Sequence, residues 1–130
     1  MTQVLYQDEW ITLTFDEARA LVRYTRNDVP YGGVENVTRS FAGVGALTTQ
    51  VPRGAKLLID IRSAPPRNDD AFEAKTSAAL TAYLVRFVRH ATLVRTAVGK
   101  LQSARIARER GVEPHVFEDE EAALAYLDGE

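Results

Sequence analysis

The sequence predicts an α/β sandwich: a mixed, mostly parallel sheet led by an N-terminal antiparallel hairpin and carrying about four helices. Three observations point to it. Residues 10–15 alternate apolar and polar side chains; Lys56-Leu57-Leu58-Ile59-Asp60-Ile61 is a near-continuous apolar run; and from residue 34 onward helical and strand patterns take turns along the chain.

In the first strand Ile11, Leu13 and Phe15 share one face and Thr12 and Thr14 the other, the period of two expected of a half-buried strand. Leu21 to Arg26 is rich in β-branched and aromatic residues, stops at Asn27-Asp28 before Pro30, and reads as the antiparallel partner. A competing reading makes Phe15 to Arg23 a helix, because Ala, Glu, Arg and Leu favour one. After a turn at Pro30, Gly32 and Gly33, the residues Val34, Val37, Phe41, Val44 and Leu47 recur at helical spacing, and Pro52 and Gly54 close that helix. The run at 56–61 is the central strand, buried on both faces. Residues 62–70 form a polar loop with two prolines, followed by a helix from about Asp70 to Arg89 with Phe72, Ala79, Tyr83 and Phe87 along one stripe, widened by Leu80 and Leu84. Ala91 to Thr96 is a further short strand. A helix from Val98 or Gly99 to Arg110 stops at Gly111, and Val112 to Phe117 is the last strand. Asp119 is placed to cap a closing helix whose first turn holds Glu120 and Glu121 and whose apolar side is Ala123, Leu124 and Leu127.

The chain of 130 residues is the size of one domain, so residues 1–130 read as a single unit. Hydrophobic residues make up 45% and charged residues 26%, which argues against disorder and coiled coil. With 16 basic and 18 acidic residues there is no global positive field to hold nucleic acid or an anionic membrane. Cysteine is absent, which removes disulfides, thiolate metal sites and thiol nucleophiles together. A metal site would need mostly carboxylates, since only His90 and His115 are available. No cofactor is indicated. The start lacks a basic segment followed by an apolar one, and no apolar run approaches the ~18 residues of a membrane span, so the expectation is a soluble cytoplasmic protein.

The predicted order of elements resembles the STAS-like fold of bacterial anti-sigma-factor antagonists, shared in outline with lipid-binding CRAL-TRIO domains. The likeness runs over residues 4–128 in element order and is local in sequence. LLIDIRSAP, at 57–65, resembles that family's central strand, in which an apolar run carries an Asp before the loop, and VEPHVFEDEEAALAYL, at 112–127, resembles its closing strand and helix. The segments Arg67 to Glu73 and Leu93 to Gln102 are similar to a subgroup of bacterial STAS-like proteins. The resemblance implies a regulatory module that binds a protein partner, of the anti-sigma-factor or kinase type, through the loop and helix start after the central strand. Family members place a phosphorylated Ser in an Asp-Ser-Ser-Gly type segment there. The corresponding stretch here is Asn68-Asp69-Asp70-Ala71, without a hydroxyl. Asp69 and Asp70 would hold the position permanently acidic; the plainer reading is that Asn68 or Asp69 caps the helix. Ser63 is the nearest hydroxyl, before Pro65-Pro66 and off the family's position.

In an open α/β sheet, ligands meet the crevice beyond the carboxyl ends of the parallel strands, where helix N-termini also point. That rule selects Arg62, Ser63, Arg67, Asn68, Asp69 and Asp70 in one loop, and Arg95, Thr96 and Lys100 in the next, with Gly99 offering its backbone N–H. The cations suit an anionic lipid, nucleotide or metabolite, or an acidic partner loop. The competing reading pairs Arg62, Arg67 and Arg95 with Asp60, Asp69, Asp70 and Glu73 in surface salt bridges. Gly99-Lys100 lacks the other residues of a P-loop. Charge is also uneven: residues 75–111 hold eight basic residues against Glu109 alone, and residues 112–130 hold seven acidic residues and no Lys or Arg. Such an asymmetry would steer a partner or align a head-to-tail homodimer, or simply mark two solvated faces. No nucleophile, base and electrophilic stabiliser assemble from the sequence: His90 and His115 each read as structural, and Tyr24 and Tyr31 as packing residues. The expected function is thus a non-catalytic partner-binding module, with an anion-binding module as the alternative and an enzyme last.

Overall fold

A computed structural model describes residues 2–65, 79, 82–109, 111 and 113–129, leaving aside the side chains of residues 34, 47 and 48. Six strands form one mixed sheet in chain order: β1 (Thr2–Gln7), β2 (Ile11–Asp16), β3 (Leu21–Arg26), β4 (Lys56–Asp60), β5 (Arg89–Leu93) and β6 (Val116–Phe117). Helices α1 (Val34–Thr48), α2 (Ala97–Glu109) and α3 (Glu120–Leu127) accompany it, and residues 79 and 82–84 are helical as well. β1, β2 and β3 pair antiparallel; β3 to β6 run parallel. The α/β class and the mixed sheet are as the sequence predicts.

β4 lies between β3 and β5, and its apolar run is divided between two cores. Leu57 and Ile59 stand in register with Val22 and Tyr24 and meet Val37 and Val44 of α1 and Tyr83. Leu58 points the other way, to Leu21, Ala91, Leu93, Ala123 and Leu127 of the α3 layer. Burying a Leu or Ile completely contributes about 1.5–3 kcal/mol, and Leu57, Leu58 and Ile59 are all at most 1% exposed. A strand buried on both faces is apolar through its middle, here Leu57 to Ile59, with the polar Lys56 and Asp60 at its ends.

The antiparallel unit has three strands rather than two. β1 escapes the periodicity test because a bulge between Val4 and Tyr6 breaks the alternation, so that the neighbours Leu5 and Tyr6 both pack against the α1 core. The alternative helix over Phe15–Arg23 does not form, since β2 and β3 pair through to Asp16 and Leu21. The helix expected to reach Arg89 gives way to turns after residue 84, and its start lies outside the described residues. Val88 N–H donates to the carbonyl of Ala55 (3.1 Å), and Arg89 already stands opposite Lys56, so parallel pairing claims residues that a helix would need. For the same reason β5 spans Arg89–Leu93 and not Ala91–Thr96. α2 begins at Ala97, and the chain leaves it through Gly111, whose φ of +73° suits glycine. β6 shrinks to two residues, and Pro114, two positions before it, has no N–H to donate. Asp119 caps α3 as expected, accepting from Glu121 N–H at 3.3 Å.

Candidate functional site

The carboxyl ends of β3, β4 and β5 form one rim, joined where Ile61 N–H donates to the Leu93 carbonyl (3.0 Å). At its centre Asp60, the last residue of β4, is 6% exposed. A buried carboxylate needs partners, and its oxygens accept from the Arg62 backbone N–H (3.1 Å), Arg62 Nε (3.0 Å) and Nη2 (2.8 Å), and Arg23 Nη2 (3.0 Å). The same two guanidiniums donate to Glu120 in the first turn of α3, Arg23 at 2.6 Å and Arg62 at 3.1 Å. Burial alone would raise the Asp60 pKa, but the Arg62 and Arg23 hydrogen bonds outweigh it and hold the carboxyl below its usual range. Glu120 is lowered chiefly by the hydrogen bond from Arg23, against a smaller opposing effect of burial. This cluster of two arginines and two carboxylates is charge-balanced, and it ties β3, β4 and α3 together.

Arg62 therefore follows the salt-bridge reading, with Asp60 as foreseen and Glu120 added. Arg95 does not: no carboxylate among the described residues pairs with it, and it lines a shallow groove of about 390 Å³ with Asn27, Asp28 and Ser63. Thr96 caps α2, its hydroxyl accepting from Gly99 N–H at 3.0 Å, so the Gly99 donor assigned to an anion is already occupied. Lys100 is exposed on the first turn of α2. Arg67, Asn68, Asp69 and Asp70 lie outside the described residues.

Beside the groove, Arg26 is also 6% exposed. Its guanidinium donates to the Asn27 carbonyl (2.8 Å) and side chain (3.1 Å) and lies 4.2 Å from the Tyr31 ring centroid. Trp10 stacks obliquely on Tyr31, with centroids 5.4 Å apart, and its indole N–H donates to the Pro30 carbonyl (3.1 Å). These contacts anchor the 27–33 segment that leads into α1. Tyr24 and Tyr31 are buried packing residues, as expected. Below them, Asp8 accepts from Tyr6 and Ser40 hydroxyls, both at 2.8 Å. Ser40 is fully buried and Asp8 half-buried, and the pair ties the turn between β1 and β2 to α1.

Sequence reasoning overlooked Arg23 and Glu120, which carry no local motif, and it judged the two histidines separately. They come together: the His90 and His115 rings are 5.6 Å apart, and His115 stacks on Tyr126 of α3 at 4.6 Å. Burial, and then His115, lower the His90 pKa. Part of the charge asymmetry along the chain is taken up inside the fold. Glu120 and Asp128 of the acidic tail are held by Arg23, Arg62, Arg19 and Lys56, all from outside the basic segment.

A larger recess of about 690 Å³, bordered by Val51, Pro52, Arg53, Phe87 and Val88, lies at the amino ends of β4 and β5. The rim is the better candidate despite the smaller groove, because the Arg95 and Ser63 side chains meet there without a hydrogen-bond or ion-pair partner among the described residues. Among the described residues no group of three or more His, Asp or Glu gathers as a metal site, and no helix is long and apolar enough to cross a membrane. Comparison with family models, curated proteins and solved structures yields no match. Function is therefore read from geometry.

Proposed function

We propose that the protein is a non-catalytic regulatory or scaffolding module of STAS-like type, binding a protein partner through the loop and helix start after β4, without a phosphoserine switch. The observation that carries this reading is the occupancy of Asp60. A carboxylate at the end of a central strand is where acid–base chemistry would be sought, yet this one is kept ionised and its oxygens are taken up by Arg62 and Arg23. Such a group braces the departure of the next loop instead of exchanging protons. The acidic Asn68-Asp69-Asp70 segment follows that brace by eight residues in sequence, which suits it to present fixed negative charge to a basic partner surface. A second reading has its own support: Arg95, without a described carboxylate partner beside Ser63, favours a small anionic ligand in the groove.

Native mass spectrometry of the protein purified gently from its own host separates the two. A co-purifying protein on an unmodified chain, lost in Asp69→Lys/Asp70→Lys and kept in Arg95→Ala, is the expected result. A retained small mass lost in Arg95→Ala would favour the ligand reading, and a covalent phosphoryl group would overturn the phosphorylation-independent one.

A further inference from the structure

The chain has two histidines and no cysteine, so all of its imidazole, the strongest ligand it offers a borderline transition metal, lies in His90 and His115. The fold brings both to one place, at the amino end of β5 and away from the rim. His90 is the second residue of β5, opposite Leu57 of β4, and the His115 carbonyl accepts from Thr92 N–H at 2.8 Å. The sheet ladder thus holds both backbones, and the rings stand 5.6 Å apart between centroids with their planes at 64°. A metal about 2.0–2.1 Å from one nitrogen of each ring, at a tetrahedral to trigonal angle, sets the ring centres about 5–6 Å apart. The observed spacing falls in that range, so joint ligation needs side-chain rotation and no movement of the sheet.

Two further features separate this pair from histidines that only pack. Neither ring makes a hydrogen bond or ion pair with a described residue, although both are half-buried, where polar atoms usually find protein partners. The pair is also oriented in advance. Tyr126 stacks on His115 at 4.6 Å, and Arg89 holds Tyr126 in turn, donating to its carbonyl with the guanidinium 5.0 Å from its ring centroid; stacking here supplies the ring positioning that a hydrogen bond supplies in other sites.

We propose that His90 and His115 form a two-imidazole site for a divalent transition-metal ion, each giving one ring nitrogen, with water in the remaining positions. Imidazole selects copper, nickel and zinc over magnesium and calcium, and copper binds tightest of these. Two protein ligands are fewer than the four of a structural zinc site, so the ion is exchangeable. The lowered pKa of His90 leaves that ring in the neutral, ligating form at pH 7.

Titration of the untagged full chain with Cu(II) at neutral pH, against glycine as a weak competitor and followed by pulsed electron paramagnetic resonance, tests this. The expected result is a bound ion whose echo modulation shows both imidazoles of the chain. His90→Asn and His115→Asn should each weaken binding about tenfold or more and leave a single imidazole on the ion. The urea-unfolded chain keeps both histidines and loses their juxtaposition, so it too should bind about tenfold or more weakly. A wild-type signal from one imidazole or none overturns the proposal, as does binding that both variants, or the unfolded chain, retain at wild-type strength. Should a variant fail to fold, the imidazole count on the wild type and the comparison of folded with unfolded chain decide.

Discussion

Asp60→Asn tests whether the rim is held by the balanced cluster of Arg23, Asp60, Arg62 and Glu120. The substitution keeps the volume and removes the charge. Asp60 accepts three guanidinium hydrogen bonds and one backbone N–H, and its side chain is 8% exposed. Hydrogen bonds to charged groups contribute about 1.5–3 kcal/mol each, and removing one member of a buried pair costs about 3–5 kcal/mol. The arginines, however, are 30% and 40% exposed and both keep Glu120, so part of the loss is recovered through water and the remaining carboxylate. A cost of about 2–3 kcal/mol follows. Glu120→Gln, at a carboxylate 38% exposed, should cost under about 1 kcal/mol. Once Asp60 is gone, Glu120 is the arginines' remaining countercharge in the cluster, so the double variant should exceed the sum of the single costs by about 0.5 kcal/mol or more. Urea unfolding followed by Trp10, the single tryptophan and a buried one, measures all three. An Asp60→Asn cost no greater than that of Glu120→Gln would refute the buried brace.

Gly43→Ala should destabilise by about 1 kcal/mol despite the better helix propensity of Ala, because the new Cβ would lie 2.6 Å from the Tyr6 ring, which is held by its hydroxyl bond to Asp8; an increased urea midpoint would show that Tyr6 moves aside freely. The pH dependence of stability should fall into two windows. His90 is depressed by burial and by His115, so the unfolded chain takes up that proton first, and stability should decline as pH falls from about 6.5 toward the lower folded value. Asp8, Asp60 and Glu120 are lowered carboxylates; their contribution is present above the unfolded values near 4 and disappears only below them. His90→Asn should flatten the first window and leave the second, as read from urea midpoints between pH 3 and 8 (roughly the range spanning both); an unchanged slope near pH 6 would remove His90 as its source.

Where neighbours in the chain carry the instruction, the sequence alone was sufficient. The alternation in β2, the doubly buried run of β4, the stripe of Val37, Phe41 and Val44 on α1, and the Asp119 cap are patterns within a few residues, and each forms as read. So did the Arg62–Asp60 pair, two residues apart. Tertiary structure decided whatever depends on register and layer order. Parallel pairing set the limits of β5 against a local helix signal, and a bulge concealed β1 from its own periodicity. Only folding brings Glu120 across 97 residues to Arg23, sets His90 beside His115, and leaves Arg95 in the groove while Arg62 is engaged. The reason is one of range: propensity and capping act along the chain within a turn or a strand, whereas a charge's partner is whatever the packed sheet places within a few ångströms of it.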